Sequence, residues 1–248
     1  MTQPQVRLVD HFGSDARVVN AARVSYAKSI PEAGPISDSD RKLLLYLARH
    51  GHMSPFRHCF LTFHLRQPEF VARQAYKHAV GISATSDGSA LVDSAWNEVS
   101  GRYVEFGSDS IWSGPPEWRG VPAAGQSKQG STTGVFSEAH QRKIQDVYES
   151  AVRAAMVSYN ALISIGVARE QARVVLPMSF MTEWYVCLLF GFTHGNHRYW
   201  TMSLEAAIHF CKLRMAPDSQ AEIRQMAQEM AVFIAQCFPF CYDALLLV

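Results

Sequence analysis

Val6, Leu8 and Val9 make Val6 to Asp10 an apolar-rich stretch that reads as a short opening strand. Ser14-Asp15 can cap a helix that runs to about Tyr26. Residues 29–40 carry Pro31, Gly34, Pro35 and several Ser and Asp, and read as a loop. Ser37 to Asp40 then leads a helix from Arg41 to about His50, with Leu43, Leu44 and Leu47 on one face. Cys59 to Leu65 alternates and is rich in Phe and Thr, which predicts a strand. Pro68 opens a helix through about His78, because the missing proline N–H costs nothing at a helix start.

Residues 81–93 are small and polar, a loop by composition. Arg102 to Phe106 reads as a strand. Residues 107–135 hold Gly, Pro, Ser and Gln and predict a long loop, which in a compact domain is usually functional. From Glu138 onward the pattern is mostly helical, with helices expected at about 138–165, 168–176, 180–192, 203–215 and 218–236 and a short one after Pro239. No internal repeat or charge run interrupts the chain. The expected class is α+β, one domain over residues 1–248, with a sheet early and helices around and after it.

Composition narrows the function. The net charge of +1 lacks the basic excess of a general nucleic-acid binder. No apolar run reaches the roughly 18 to 20 residues of a membrane span. The N-terminus, MTQPQVRLVD, lacks a signal-peptide apolar core, so the expectation is a soluble cytoplasmic protein. Cys59, Cys187, Cys211, Cys237 and Cys241 include no CxxC pair and sit mostly in apolar surroundings, which predicts buried free thiols.

The densest chemistry lies in Trp96-Asn97-Glu98-Val99-Ser100-Gly101-Arg102-Tyr103. Asn97 to Arg102 gathers an amide, a carboxylate, a hydroxyl, a glycine and a guanidinium, a set suited to a phosphorylated polar ligand. Arginine grips phosphate through a planar fork that lysine cannot copy, and Gly101 lets a ligand approach the backbone. Taken alone, Ser100-Gly101-Arg102 would read as a polar strand edge with a solvated arginine. Alone, Arg214 would read as complementing a helix dipole, and Arg169, Glu170 and Arg173 as a surface ion-pair face.

The ordered combination is more specific. Ala22-Arg23-Val24-Ser25, His50-Gly51-His52-Met53-Ser54-Pro55-Phe56, Asn97-Glu98-Val99-Ser100-Gly101-Arg102, Lys128-Gln129-Gly130-Ser131, Arg169-Glu170-Gln171-Ala172-Arg173 and His209-Phe210-Cys211-Lys212-Leu213-Arg214 together resemble the flavin-dependent thymidylate synthases, the ThyX family. The resemblance spans most of the chain. It implies an antiparallel sheet flanked by helices with a helical C-terminal half. It implies C5-methylation of a uracil nucleotide, UMP or dUMP, with FAD as cofactor and NADPH and methylenetetrahydrofolate as co-substrates. No enzyme nucleophile attacks the base and no metal is required. By the same resemblance Arg214 is the catalytic residue, stabilising charge on the ionised ring. Gln74, Lys77, Val99, Ser100, Gly101, Arg102 and Arg173 would bind substrate, and Glu98 would touch both substrate and flavin. Ser25, His52, Ser54, Lys77, His78, Asn97 and His209 would line the flavin. A homotetramer with sites between subunits is implied, so that Arg173 can serve a neighbour's nucleotide.

The chain also departs from the family. The triplet Arg-His-Arg is Lys77-His78-Ala79 here, and each lost charge-assisted bond costs about 1.5 to 3 kcal/mol. Residues 80–96 intervene where members have only a few. Aligned on Arg214, the usual Asn and Arg become Ser203 and Glu205, although Asn196-His197-Arg198 can supply those groups in another register. One reading is retuning towards UMP, as in polyoxin-type antibiotic pathways, with Ser83, Thr85, Ser86 or Asp87 bonding the 2′-hydroxyl. The other is a surface insertion with dUMP retained. Two further classes compete. A noncatalytic nucleotide- and flavin-binding protein would explain the altered triplet. A metal hydrolase would use His50, His52, His58 and His64, but no acidic residue lies between Asp40 and Glu69. A thymidylate synthase with a cysteine nucleophile is disfavoured, as no Pro-Cys-His motif occurs.

Overall fold

The computed structural model describes residues 2–78, 83–84, 90–91, 94–122, 130–188 and 200–246. Ala79, Thr85, Ser86, Asp87, Lys128, Gln129 and Asn196-His197-Arg198 lie outside the described residues. A five-stranded sheet organises the chain, in the order β1-β2-β7-β6-β5. Its strands are β1 (Gln5–Phe12), β2 (Phe60–Pro68), β5 (Ser94–Glu98), β6 (Met181–Leu188) and β7 (Trp200–Ser203). A small separate pair, β3 (Ser83–Ala84) and β4 (Ala90–Leu91), precedes β5. β2 pairs antiparallel with β1, β6 and β7, and only β6 with β7 is parallel. The fold class is therefore the expected α+β, but the sheet draws strands from both halves of the sequence.

Alternation explains β2. Leu61, Phe63 and Leu65 are fully buried, while the residues between them are half-buried on the other face. Over this sheet pack α1 (Asp15–Arg23), α2 (Asp38–Arg49), α6 (Leu204–Arg214), α7 (Ala221–Cys237) and α8 (Pro239–Leu246). Helix starts follow local chemistry. The Ser14 and Ser203 hydroxyls accept from Arg17 and Ala206 amides, and Ser37 forms a reciprocal capping box with Asp40. That box starts the second helix at Asp38 rather than Arg41. Helix α3 (Glu69–Tyr76) begins after Pro68, as the sequence predicts. The long α4 (Glu138–Ile165) starts at Ser137 and ends at Gly166, whose φ of 93° only glycine adopts freely. It buries Val152 and Tyr159 in a second, smaller core with Phe106, Ile111, Ala172 and Phe180.

Three expectations are corrected. Within the helix expected at 180–192, the described residues Met181–Leu188 form strand β6 instead, bonded to β5 along one edge and to β2 and β7 along the other. An apolar run rich in aromatic and branched residues fits a central strand as well as a buried helix, and partners on both edges decide. The strand expected at Arg102–Phe106 is a turn, closed by Tyr103 and Val104 amides donating to the Ser100 carbonyl at 2.9 and 3.2 Å. The helix expected at 168–176 is the single turn α5 (Arg169–Ala172) followed by a 3-10 turn at Arg173–Val175.

Candidate active site

Strand β5 delivers Glu98 to the sheet edge, and the Val99 amide extends the ladder by donating to the Glu183 carbonyl at 2.9 Å. The chain then turns. The Ser100 hydroxyl accepts from the Arg102 amide at 3.3 Å and from Arg102 Nε at 3.2 Å, so serine and guanidinium are held together. Gly101 is buried, and a Cβ there would stand 3.0 Å from Arg173 Cδ. The tertiary fold thus brings Ser100, Gly101 and Arg102 against Arg173, some seventy residues later in sequence. Both arginines are exposed. The surface ion-pair face expected for Arg169, Glu170 and Arg173 forms only in part. Arg169 bonds Glu105 at 2.7 Å, while Arg173 Nε donates to the Glu170 carbonyl at 3.4 Å. A cleft of about 430 Å³ opens beside this turn between Arg102, Glu105 and the 163–170 segment.

Helix α3 links this region to a second one. Near its start, Glu69 is hydrogen-bonded to both Arg73 and Glu98, and the Thr182 hydroxyl also donates to Glu98. Burial, with the neighbouring Glu98 charge adding, raises the Glu69 pKa against the opposing pull of Arg73. Gln74 directs its amide nitrogen to Gln220 Oε1 at 2.5 Å.

At the far end, Lys77 is exposed, and His78 lies 5.3 Å from His209 and 5.1 Å from Phe210, ring centre to ring centre. Burial first, then the positive fields of His209 and Arg214, lower the His78 pKa to about 4, against a bond to Ala206. His78 is consequently a neutral imidazole at neutral pH. His78 Nε2 and Arg214 Nε are buried, and neither has a hydrogen-bond partner among the described residues. From Glu69 to His78 is roughly 14 Å along a helical rise, so α3 (Glu69–Tyr76) carries the chain from one group to the other.

Ser54 opens a 3-10 turn, Ser54–His58, that packs on α1 and α6. Arg57 in this turn grips Glu205 of α6 through Nε and through Nη2, the latter at 3.2 Å. Ser203 caps α6. Ser25, in the 3-10 turn Val24–Tyr26, and His52 are exposed. Among the described residues, no hydrogen bond or ion pair joins Ser25, His52 or Ser54 to the Arg102 or His78 groups. The Asn97 backbone pairs with Tyr185, and its side chain is outside the described set.

Glu69, Gln220, Thr182 and Arg57 were not singled out by sequence. Only Glu69, a carboxylate placed directly after a helix-starting proline, carried any signal. Of the rival histidine cluster, His50 and His52 stay together against Tyr46, with ring centres 6.3 Å apart, while His64 faces Glu183 at 3.4 Å. Among the described residues no group of three His, Cys, Asp or Glu side chains is placed to hold a metal. Cys59, Cys211 and Cys241 are buried free thiols, and burial pushes Cys59 and Cys211 up to about 12, far from nucleophilic use. Among the described residues, no helix is long and apolar enough to cross a membrane.

Comparison with known proteins shows the family. The profile of the family described as Thymidylate synthase complementing protein matches residues 7–188 and 192–240. A flavin-dependent thymidylate synthase of Thermosipho africanus is 34% identical over 241 residues, covering 97% of this chain and 90% of the relative. That of Thermus thermophilus is 35% identical, covering 96% of this chain and 74% of the relative. Among solved structures, the UMP/dUMP methylase PolB of Streptomyces cacaoi bound with 5-Br UMP superposes with a TM-score of 0.75 at 28% identity, covering 98% of this chain and 94% of that one. Its complex with 5-Br dUMP gives 0.73 at 30% identity, covering 98% and 95%.

Proposed function

The chain belongs to the flavin-dependent thymidylate synthase family and is an enzyme of that type, and from this premise we propose that it methylates C5 of a uracil nucleotide, accepting both UMP and dUMP. The observation that carries the substrate reading is the close approach of Arg173 to the Ser100-Gly101-Arg102 turn. Two exposed arginines flank this turn, Arg102 bonded to the Ser100 hydroxyl and Arg173 reaching Gly101 through its Cδ, a set of groups that can serve a phosphate. Gln74, Val99 and Lys77 complete the nucleotide-binding side of the reading. Dual use of the ribo- and deoxyribonucleotide follows the name carried by the PolB structures, which superpose along almost the whole chain.

The cofactor reading is FAD. The fit rests on the His78–His209–Arg214 end, where a neutral imidazole and a guanidinium each present a buried nitrogen with no described partner. A polar planar ring with carbonyl and ring-nitrogen groups answers both. Ser25, His52, Ser54, His78, Asn97 and His209 are proposed to hold it, with Glu98 shared between cofactor and nucleotide. When bound and reduced, the flavin supplies the hydride. NADPH and methylenetetrahydrofolate are proposed as reductant and one-carbon donor.

The protein's own residues do the rest. The Arg214 guanidinium, carried on the last residue of α6, stabilises negative charge developing on the uracil ring, as a permanent positive charge does in a site closed to water. His78, kept neutral by burial and by the fields of His209 and Arg214, adds no charge of its own at that edge. Helix α3 sets the spacing between the phosphate end and the ring end. Residues 1–248 act as one domain in this reading. Val147, Val157, Ile165 and Val174, all strongly exposed, are proposed to be covered by other subunits of a homotetramer.

The test is tritium release from C5-labelled UMP and dUMP with FAD, NADPH and methylenetetrahydrofolate, each omitted in turn. Release from both, lost on any omission, is expected. Release from dUMP alone would remove the ribonucleotide claim. Binding of nucleotide and flavin without release from either would replace the enzyme reading with a binding protein.

A further inference from the structure

We propose that Arg57 is a flavin-binding residue of this chain, contributing a cation from the 54–58 turn and oriented by Glu205. The inference rests on the reading that the protein binds FAD. In the register of the family resemblance that is aligned on Arg214, Glu205 stands at a position usually held by arginine, and a bare carboxylate there would repel the anionic groups of the cofactor. In this chain that carboxylate is not bare. Its side chain is only 13% exposed, and Arg57 engages both of its oxygens. In that register the cation comes from position 57 instead of 205.

The geometry of the turn says where this cation faces. Ser54 to His58 is a 3-10 helix, with three residues per turn, so side chains at i and i+3 lie above one another. Ser54 and Arg57 are such a pair. The serine expected to meet the flavin and the guanidinium therefore share one face. Pro55 and Phe56 are buried beneath them, and the Leu204 amide donates to the Cys59 carbonyl at 2.8 Å, so the turn is tied to the start of α6 independently of the ion pair. The pair is not needed to hold the backbone. Arg57 uses Nε and Nη2 on Glu205, which leaves both Nη1 hydrogens and one on Nη2. With 48% of its side chain exposed, those donors reach solvent. A guanidinium anchored on one edge and open on the other is preoriented for a phosphate or a ring carbonyl. A half-exposed ion pair by itself would add little to stability.

The experiment measures FAD affinity of the full-length protein by flavin fluorescence, for the unaltered chain and for Arg57→Ala, Arg57→Lys and Glu205→Gln. Melting temperature and UMP affinity without flavin serve as controls. Arg57→Ala should weaken FAD by about tenfold or more, the loss of one charge-assisted contact. Glu205→Gln should fall between, because the fork keeps its charge and loses its orientation. Adding Glu205→Arg to Arg57→Ala returns a cation to position 205 and should recover most of the affinity, which a merely structural ion pair would not do. FAD affinity of Arg57→Ala within twofold of the unaltered chain would overturn the proposal. Should Arg57→Ala not fold, unchanged affinity in both Arg57→Lys and Glu205→Gln would overturn it equally. Failure of the unaltered protein to bind FAD would sink the flavin reading itself, whereas FAD binding indifferent to Arg57 would sink this proposal alone.

Discussion

Replacing Gly101 with alanine adds one methyl group where the candidate site is tightest. Gly101 does not adopt a positive φ, so its backbone accepts alanine and only space opposes the change. The new Cβ would stand 2.5 Å from Phe106 Cε2 and 3.0 Å from Arg173 Cδ. Carbon atoms in ordinary contact sit about 3.5 to 4.0 Å apart, so the overlap on the ring is roughly 1 to 1.5 Å. Phe106 has little room to retreat. It is 9% exposed, its ring packs 4.2 Å from that of Phe180, and its amide donates to the Tyr159 hydroxyl at 3.3 Å. Overpacking of this kind costs about 1 to 3 kcal/mol of stability. Arg173, on the exposed side, yields more easily, and the turn bearing Ser100 and Arg102 moves away from it. Losing one charge-assisted bond to phosphate is worth about 1.5 to 3 kcal/mol, or roughly 10- to 150-fold in affinity. Calorimetric titration of UMP and dUMP, paired with urea denaturation, reads both effects. Affinity for both nucleotides within twofold, together with an unchanged denaturation midpoint, would refute the claim that this close approach builds the phosphate site.

Other consequences are open to measurement. Arg214→Ala should lower kcat for tritium release by about 10²- to 10³-fold, as for loss of a preorganised donor, with a smaller change in nucleotide affinity; an unchanged kcat would remove Arg214 from the chemistry. The His78 ring should show no titration between about pH 5.5 and 8 by NMR, since its pKa is lowered to about 4. Because the folded pKa lies below the unfolded value of about 6.5, stability is fully present above that value and lost as pH falls towards 4, by on the order of 3 kcal/mol. His78→Gln should therefore flatten acid unfolding in that window. Glu69 titrates above the ordinary carboxylate range, chiefly through burial, so its contribution favours folding at acid pH and is lost as pH rises through its folded pKa. Glu69→Gln should accordingly be more stable than the unaltered chain at pH 7 and lose that advantage near pH 4, and a uniform destabilisation at both pH values would contradict the raised pKa.

Much of this protein is legible without coordinates because the deciding interactions are local. Ser14, Ser37 and Ser137 satisfy amides within three residues, and Gly166 ends α4 through its own φ. The alternation through Leu61, Phe63 and Leu65 announces β2 because one face of a sheet is dry. The Asn97 to Arg102 segment carries its chemistry in adjacent letters. What the sequence left undecided depends on partners far along the chain. Met181–Leu188 has the composition of a buried helix or a central strand, and β2, β5 and β7 settle it by bonding both edges. Arg102 to Phe106 is a turn in place of the expected strand, closed on the Ser100 carbonyl, and it carries Phe106 into the second core beside Phe180. The meetings of Gly101 with Arg173, His78 with Arg214, and Arg57 with Glu205 join residues 72, 136 and 148 positions apart. Side-chain types and spacing set which groups are available for chemistry; only the packing of sheet and helices sets which of them touch, because contacts over such separations are stabilised by the whole core rather than by any nearby residue.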